Sequence, residues 1–268
     1  MTHVLAFDRA GLPATPGTPV ILLHGIGGGR AMWPRTLQTL AAAGFDAIAV
    51  DLPGYGDSVQ LPPGGVDAMA DAVVGLMDHL GLPSAAVVGH SMGGMVAQAM
   101  AARAPQRVCA LVLACTSPAF GKPGGDWQAR FVADRLAPLD AGGGMPALAT
   151  RLVPAMVGPT ADTEGAALAQ AVMAAVPEAT YRRVLAAIVG FDRRADLPAI
   201  GVPTLCLAGA LDRTAPPAVL QGMAERIPGA EFAEIAGAGH IANVEQPAAF
   251  EAALLGFLRR ATDQETRP

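Results

Sequence analysis

The chain has 268 residues, 52% of them hydrophobic and 15% charged, with a formal net charge of −5. That length suits one large α/β domain with its own core and room for an insertion. The acidic balance and a pI near 5.5 exclude the basic surface a nucleic-acid partner needs, and no uncharged apolar run reaches the ~18 residues that would span a bilayer.

Other classes fall away on similar grounds. The mean hydropathy of +0.39 is high but comes largely from alanine and glycine. No helix-like stretch sets a strong basic face against an apolar one, as a helix lying on a membrane would. The opening Met1-Thr2-His3-Val4 lacks the basic start of a secretory signal, so the expectation is a cytoplasmic protein. Cys109, Cys115 and Cys206 lie in apolar strand-like runs without C-x-x-C spacing, which reads as reduced core thiols. The five histidines are scattered and offer zinc little to bind, so neither a metal nor another cofactor is expected.

Taken in order, the chain alternates strand and helix signals. Residues 3–7 read as a first strand, followed by a Pro/Gly-rich connection over 11–19. Val20-Ile21-Leu22-Leu23 is a buried strand ending at His24-Gly25-Ile26-Gly27-Gly28-Gly29. A helical period over 31–43 stops at Gly44, and a third strand over 45–50 closes on Asp51-Leu52-Pro53-Gly54-Tyr55-Gly56-Asp57-Ser58. A helix over 66–80 is stopped by Gly81 and Pro83, a strand follows over 85–88, and another over 109–114.

From residue 118 to 198 the strand signals stop. Four helix-like pieces replace them, near 127–136, 146–157, 163–176 and 178–189, punctuated by glycine and proline. An all-helical run of this length between strands reads as a cap laid over the strand ends. The predicted organisation is therefore a core from residues 1–117 and 199–268 with a helical cap from 118–198. Strands resume at 204–208 and 231–235, with helices over 216–227 and 247–260 and a polar tail. This alternation predicts an α/β fold with a mostly parallel sheet covered by helices on both faces, whose ligands sit outside the carboxyl ends of the strands.

The stretch Gly89-His90-Ser91-Met92-Gly93-Gly94 carries the chemistry. A serine flanked by glycines two residues away, with a strand before and a helix after, fits a sharp elbow that lifts the hydroxyl clear of the backbone. The helix N-terminus favours the negative charge that develops there. A serine hydroxyl needs a base to become a nucleophile. Of the histidines, His3 and His79 are expected far from the elbow, His90 is expected to point away from it, and His24 reads as a brace for its own glycine loop. His240, in Gly237-Ala238-Gly239-His240 after the last strand, is the candidate base. Asp212, after the strand over 204–208, is the candidate acid that fixes the tautomer of the base. The backbone amides of Met92 and Ile26 are the candidate oxyanion donors. Asp51 and Asp57 read as holding their turn together.

These residues, in the order His24-Gly25, Asp51 to Gly56, the Gly89–Gly94 elbow, Asp212 and His240, resemble the α/β-hydrolase superfamily from about residue 20 to 258. Within it, Gly239-His240-Ile241-Ala242-Asn243-Val244-Glu245-Gln246-Pro247, the run Met92 to Gln98 and a cap opening with Trp127 and Arg130 resemble the 3-oxoadipate enol-lactonase group and related small esterases. The resemblance implies metal-free hydrolysis of a small carboxylic ester or enol-lactone through an acyl-enzyme. His24-Gly25-Ile26-Gly27 departs from the Asn-Ser type of loop usual in that group. Ring-fission products cleaved at a carbon–carbon bond are an alternative substrate class, and a ligand-binding protein on the same fold is an alternative of a different kind. Trp33, Trp127, Phe120, Phe131 and Phe191 are candidate pocket walls, Met92, Met95 and Met145 adaptable fillers, and Arg130 or Arg135 a candidate clamp for a substrate carboxylate. The expected partner is a small-molecule ester or lactone; a homo-oligomer is compatible with the sequence.

Overall fold

The computed structural model describes residues 5–11, 17–60, 64–121 and 125–263. Seven strands form one sheet among them: β1 (Phe7–Ala10), β2 (Pro19–Leu23), β3 (Asp46–Val50), β4 (Ala85–His90), β5 (Val108–Ala114), β6 (Thr204–Gly209) and β7 (Glu231–Ile235). Their spatial order is β1-β3-β2-β4-β5-β6-β7. Every pairing is parallel except β1 with β3. β3, β4 and β6 are buried at every position, whereas the edge strands β1 and β7 are partly exposed. Burial on both sides is what continuous apolar runs such as Ala85-Ala86-Val87-Val88 require.

Helices supply the covering layers. α1 (Pro34–Ala42) packs on α10 (Pro247–Asp263), and α2 (Gly65–His79) packs on α3 (Met92–Arg103). α8 (Pro217–Ala224) lies against β6 and β7. The glycines that end α1 and α2 in the sequence pattern act as caps. Gly44 has φ 90°, and Phe45 N–H reaches back to Leu40 O (3.0 Å); Gly81 has φ 68°, with Leu82 N–H on Met77 O (2.9 Å). This is the six-to-one bond of a Schellman motif.

Between β5 and β6 run α4 (Asp126–Asp140), α5 (Gly144–Met156), α6 (Thr163–Ala175) and α7 (Glu178–Val189). α5 packs on α6, α4 on α5 and α7, and α7 on α2. A four-residue helix, α9 (Ala242–Glu245), lies between β7 and α10 and touches α6.

Two expectations shift. The first strand is Phe7–Ala10 rather than 3–7, whose first two residues lie outside the described ones. As an edge strand it needs no apolar run. It is fixed by its register, Phe7 opposite Val50 and Ala10 opposite Ala47, and by the Arg9–Asp46 ion pair at 2.7 Å. The helix expected over 31–43 is broken at Trp33: a 3-10 turn, Arg30–Met32, precedes α1, which starts with Pro34 at its first position. The polar tail from 264 lies outside the described residues.

Candidate active site

β4 ends at His90 and α3 begins at Met92, leaving Ser91 at the turn with φ 53° and ψ −116°. A side-chain-bearing residue held there costs about 1–3 kcal/mol, which the surroundings must offset. They do so through the main chain and the Thr116 hydroxyl. Ser91 N–H donates to Ala114 O (2.9 Å), and Ser91 O accepts from Gly94 N–H (2.9 Å), Met95 N–H (3.2 Å) and Thr116 Oγ1–H (2.7 Å). The flanking glycines are sterically required. A Cβ at Gly89 would strike the backbone of Gly93, and one at Gly93 would strike the backbone of Leu23 on the neighbouring strand.

The loop after β7 brings His240 to this turn. Its Nε2 lies 3.0 Å from Ser91 Oγ and its Nδ1 2.8 Å from Asp212 Oδ2. Asp212 follows β6, and its Oδ1 accepts from the amides of Thr214 (2.7 Å) and Ala215 (3.0 Å). Burial pushes the Asp212 carboxyl up, but the His240 ring, its hydrogen bond and the two amides outweigh that, and the group sits below the usual carboxylate value. An ionised Asp212 accepts from Nδ1–H, so Nε2 presents its lone pair to the serine.

Two further residues, His90 and Glu245, fix this line, and neither was singled out for that role in the sequence. His90 does not point away. Its ring lies 5.3 Å from that of His240, and its Nε2 is 2.6 Å from His240 O. A carbonyl only accepts, so Nε2 carries a proton, and burial keeps the ring neutral. Burial, followed by the neighbouring His240, pushes His90 down to about 4. Glu245, buried at the end of α9, accepts from Gly239 N–H (2.7 Å) and Ile241 N–H (2.7 Å), the amides on either side of His240. The same carboxylate accepts from Gly158 N–H (2.6 Å) after α5, and His240 N–H donates to Met156 O (2.7 Å). Arg30 joins the two turn carboxylates, meeting Asp51 at 2.7 Å and Asp57 at 2.8 Å.

His24 braces its loop. Leu52 N–H donates to its Nε2 (3.0 Å), so the proton is on Nδ1, which donates to Gly25 O (2.8 Å). Burial pushes His24 down to about 4. Gly25 O also accepts from Gly28 N–H (2.9 Å), and Tyr55 OH donates to Ile26 O (2.9 Å). In a planar trans peptide, tying the Gly25 carbonyl one way turns the Ile26 N–H the other way. His79 is exposed at the end of α2, and His3 lies outside the described residues.

Ser91, Met92, Ile26 and His240 line one cavity of about 990 Å³, counted out to its open mouth. Trp33 and Trp127 line it too, as do Phe120, Phe131, Met95 and Arg135. Arg130, Phe191 and Met145 do not: Arg130 is exposed on the outer side of α4, and the other two are buried in the core. Helical period explains the arginines, since Arg130 and Phe131 are consecutive and point apart, whereas Phe131 and Arg135 are four apart and share a face. Burial raises the Cys115 and Cys206 thiols, the latter to about 12, so neither is a thiolate at neutral pH. Among the described residues no group of three or more His, Cys, Asp or Glu could hold a metal ion, and no helix is long and apolar enough to cross a membrane.

The sheet order, the elbow and the position of the site at the strand ends define an α/β hydrolase. The family model for the alpha/beta hydrolase fold matches residues 18–247, and the chain belongs to that family. Among its relatives, a protein named as a carbamate hydrolase, RutD, of Variovorax paradoxus is 34% identical over 260 residues, covering 92% of this chain and 93% of the relative. The dihydrolipoyllysine-residue acetyltransferase component of the acetoin cleaving system of Pseudomonas putida is 32% identical over 255 residues, covering 91% of this chain, which spans 64% of that protein's length. Among solved structures, the enol-lactonase of Burkholderia xenovorans LB400 superposes with a TM-score of 0.83 at 30% identity, covering 95% of this chain and 96% of that one. The enol-lactonase resemblance expected from the sequence is thus met in structure as well.

Proposed function

We propose that the protein is a serine hydrolase of small carboxylic esters or lactones, with Ser91 as nucleophile, His240 as general base and Asp212 as its orienting acid. The observation that carries this reading is the unbroken line from Asp212 through His240 to the Ser91 hydroxyl, opening into the cavity. Ser91 Oγ attacks the substrate carbonyl carbon while its proton passes to His240 Nε2. The oxyanion that forms is held by the amides of Met92 and Ile26, and Asp212 stabilises the imidazolium. Collapse breaks the bond to the leaving oxygen, which takes the proton from His240. Water then attacks the acyl-enzyme with His240 again as base, releasing the acid and the serine. In a lactone the leaving oxygen stays tethered to the acyl group, so one product carries both ends.

The helices of residues 118–198 serve in this scheme as a cap that walls the cavity and shields the acyl-enzyme. The enol-lactonase neighbour favours the lactone side of the reading. The likeness to a protein named as a carbamate hydrolase makes a carbamate the first competitor, because the same attack and collapse release an amine or carbamic acid. A panel of short p-nitrophenyl esters, lactones and carbamates, run on wild type and Ser91→Ala, tests the proposal. The expected outcome is that Ser91→Ala loses ester or lactone turnover by about 10⁶-fold and is no longer labelled by a fluorophosphonate. Labelling that persists in Ser91→Ala sinks it.

A further inference from the structure

We propose that Met156 couples the occupant of the cavity to His240: its side chain lines the cavity while its carbonyl holds the His240 backbone, so that an aliphatic substituent of the substrate acts on kcat and not only on binding. The effect on turnover rests on the reading of Ser91 as nucleophile and His240 as general base; the coupling itself does not.

Met156 is the last residue of α5. The final carbonyls of a helix lack intrahelical donors and must find partners elsewhere. Met156 O finds the His240 N–H at 2.7 Å. Around this bond the end of α5 and the His240 loop meet backbone to backbone. A Cβ on Gly239 would strike Met156 O, and one on Gly158 would strike Gly237 O. Glu245 closes the joint. Its Oε2 accepts from both Gly158 N–H (2.6 Å) and Gly239 N–H (2.7 Å), and its main-chain carbonyl accepts from Asp162 N–H (2.8 Å). Main chain packed on main chain leaves no side chain between to give way, so the two segments shift together. α7 meets the loop after β3 differently, through the Thr180 side chain, whose hydroxyl donates to Gly54 O (2.8 Å).

The cavity wall is the other end of the coupling. The Met156 side chain lines it together with Leu152 and Val153, which lie four and three residues earlier on the same face of α5. Ala169 and Met173 of α6 extend this wall. All five side chains are aliphatic, so the substituent they take is a short alkyl chain, and an unbranched thioether adapts to its shape. A chain packed there fixes the end of α5, and α5 fixes His240, whose Nε2 stands 3.0 Å from Ser91 Oγ. Misplacement by about 1 Å at such a contact costs about 10²-fold in rate. Contact far from the scissile bond is thereby used for orientation, and a truncated substrate loses kcat as well as affinity.

The test measures kcat and KM for 4-nitrophenyl acetate and 4-nitrophenyl hexanoate in wild type, Met156→Ala and Met156→Leu. Met156→Ala is expected to lower kcat for the hexanoate about tenfold, while the acetate, with one methyl to offer the wall, changes less than about twofold. Met156→Leu should recover most of the loss. A loss confined to KM would make Met156 a plain pocket wall, and an equal loss for both esters would make it a structural prop; either result, or no change at all, overturns the coupling. Hydrogen exchange of the His240 amide in Ser91→Ala gives a readout that needs no turnover. Saturating hexanamide is expected to slow it about tenfold relative to saturating acetamide, and adding Met156→Ala should abolish the difference. Equal exchange with the two amides also overturns the coupling. If wild type turns over neither ester while hexanamide still slows exchange through Met156, the nucleophile reading fails and the coupling stands.

Discussion

Around Ser91 the restraints are mostly main-chain ones, the Thr116 hydroxyl being the side-chain exception. Ala114 O, Gly94 N and Met95 N hold its peptide groups, and the backbones of Gly93 and Leu23 press against the glycine positions. Around His240 the proportions reverse. The Asp212 carboxylate holds its ring, the His90 ring holds its carbonyl, and the Glu245 carboxylate holds the amides on both sides; Met156 O is the main-chain exception. Ser91 is thus placed mainly by sterics and redundancy, His240 mainly by side-chain hydrogen bonds. A structure built the first way breaks when atoms are added, and one built the second way breaks when atoms are exchanged.

Acid gives the largest expected effect and acts on the joint between the two sides. His24 beneath the glycine loop and His90 between Ser91 and His240 both titrate near 4 in the folded chain against 6.5 when unfolded. Between those values the unfolded chain binds more protons, so stability falls as pH drops from about 6.5 toward 4, by up to roughly 3 kcal/mol per histidine. Below that window the histidines add nothing more. Asp212, whose folded value is depressed, then takes over the loss as the pH falls through it. Urea midpoints measured across pH 4–7 should show the slope, and His90→Gln, which keeps a donor for His240 O without titrating, should flatten it. A flat wild-type profile contradicts the neutral, buried state of both rings.

Gly93→Ala comes next. The new methyl would meet the carbonyls of Leu23, the last residue of β2, and of His24 just after it, and the strand backbone cannot move aside. The expected cost is about 3 kcal/mol, at the upper end of the range for overpacking, read as a fall in Tm of roughly 6–12 °C. An unchanged melting curve would mean the elbow has slack that the backbone distances deny.

The same contrast explains what the sequence disclosed. Backbone sterics leave a residue-type signature at fixed spacing, so Gly89, Ser91 and Gly93 could be read directly, as could the Gly44 and Gly81 caps. Buried parallel strands leave continuous apolar runs, so β2 through β6 were legible, while β1, with one neighbour and the polar pair Asp8-Arg9, was not. Side-chain clamps leave no such mark. Glu245 reaches its partners only because α9, four residues long and below any periodic signal, turns it back over Gly239 and Ile241. His90 was misread because the elbow rule describes the serine and says nothing about its neighbour's χ angles. Arg130 and Arg135 looked equivalent until the face of α4 turned toward the cavity was known.

Glu245→Gln tests the clamped side. The amide keeps the volume but offers one acceptor oxygen where the carboxylate's two oxygens take three backbone donors, so at least one of Gly158, Gly239 or Ile241 N–H faces an NH₂ group. A cost of about 2 kcal/mol in stability is expected, with a fall in kcat about tenfold or larger while KM changes little, because the loop that carries His240 loosens and the cavity does not. If stability falls and kcat does not, Glu245 ties α9 to the inserted helices without placing His240.

Thr116→Val is the matched change on the other side and should do least. It too removes one hydrogen bond, from Thr116 Oγ1 to Ser91 O at 2.7 Å. That carbonyl keeps the amides of Gly94 and Met95, so no buried acceptor is orphaned, and valine fills the volume of threonine. The Ser91–Met92 peptide plane therefore stays where it is, and with it the direction of the Met92 N–H proposed to meet the oxyanion. The expected loss is under about 1 kcal/mol in stability and under about threefold in kcat. The ratio between the two variants is the sharpest measure of the contrast: one hydrogen bond removed from a redundant set and one exchanged in a clamp without spare partners. Equal losses in kcat would show that the main chain around Ser91 has no redundancy after all.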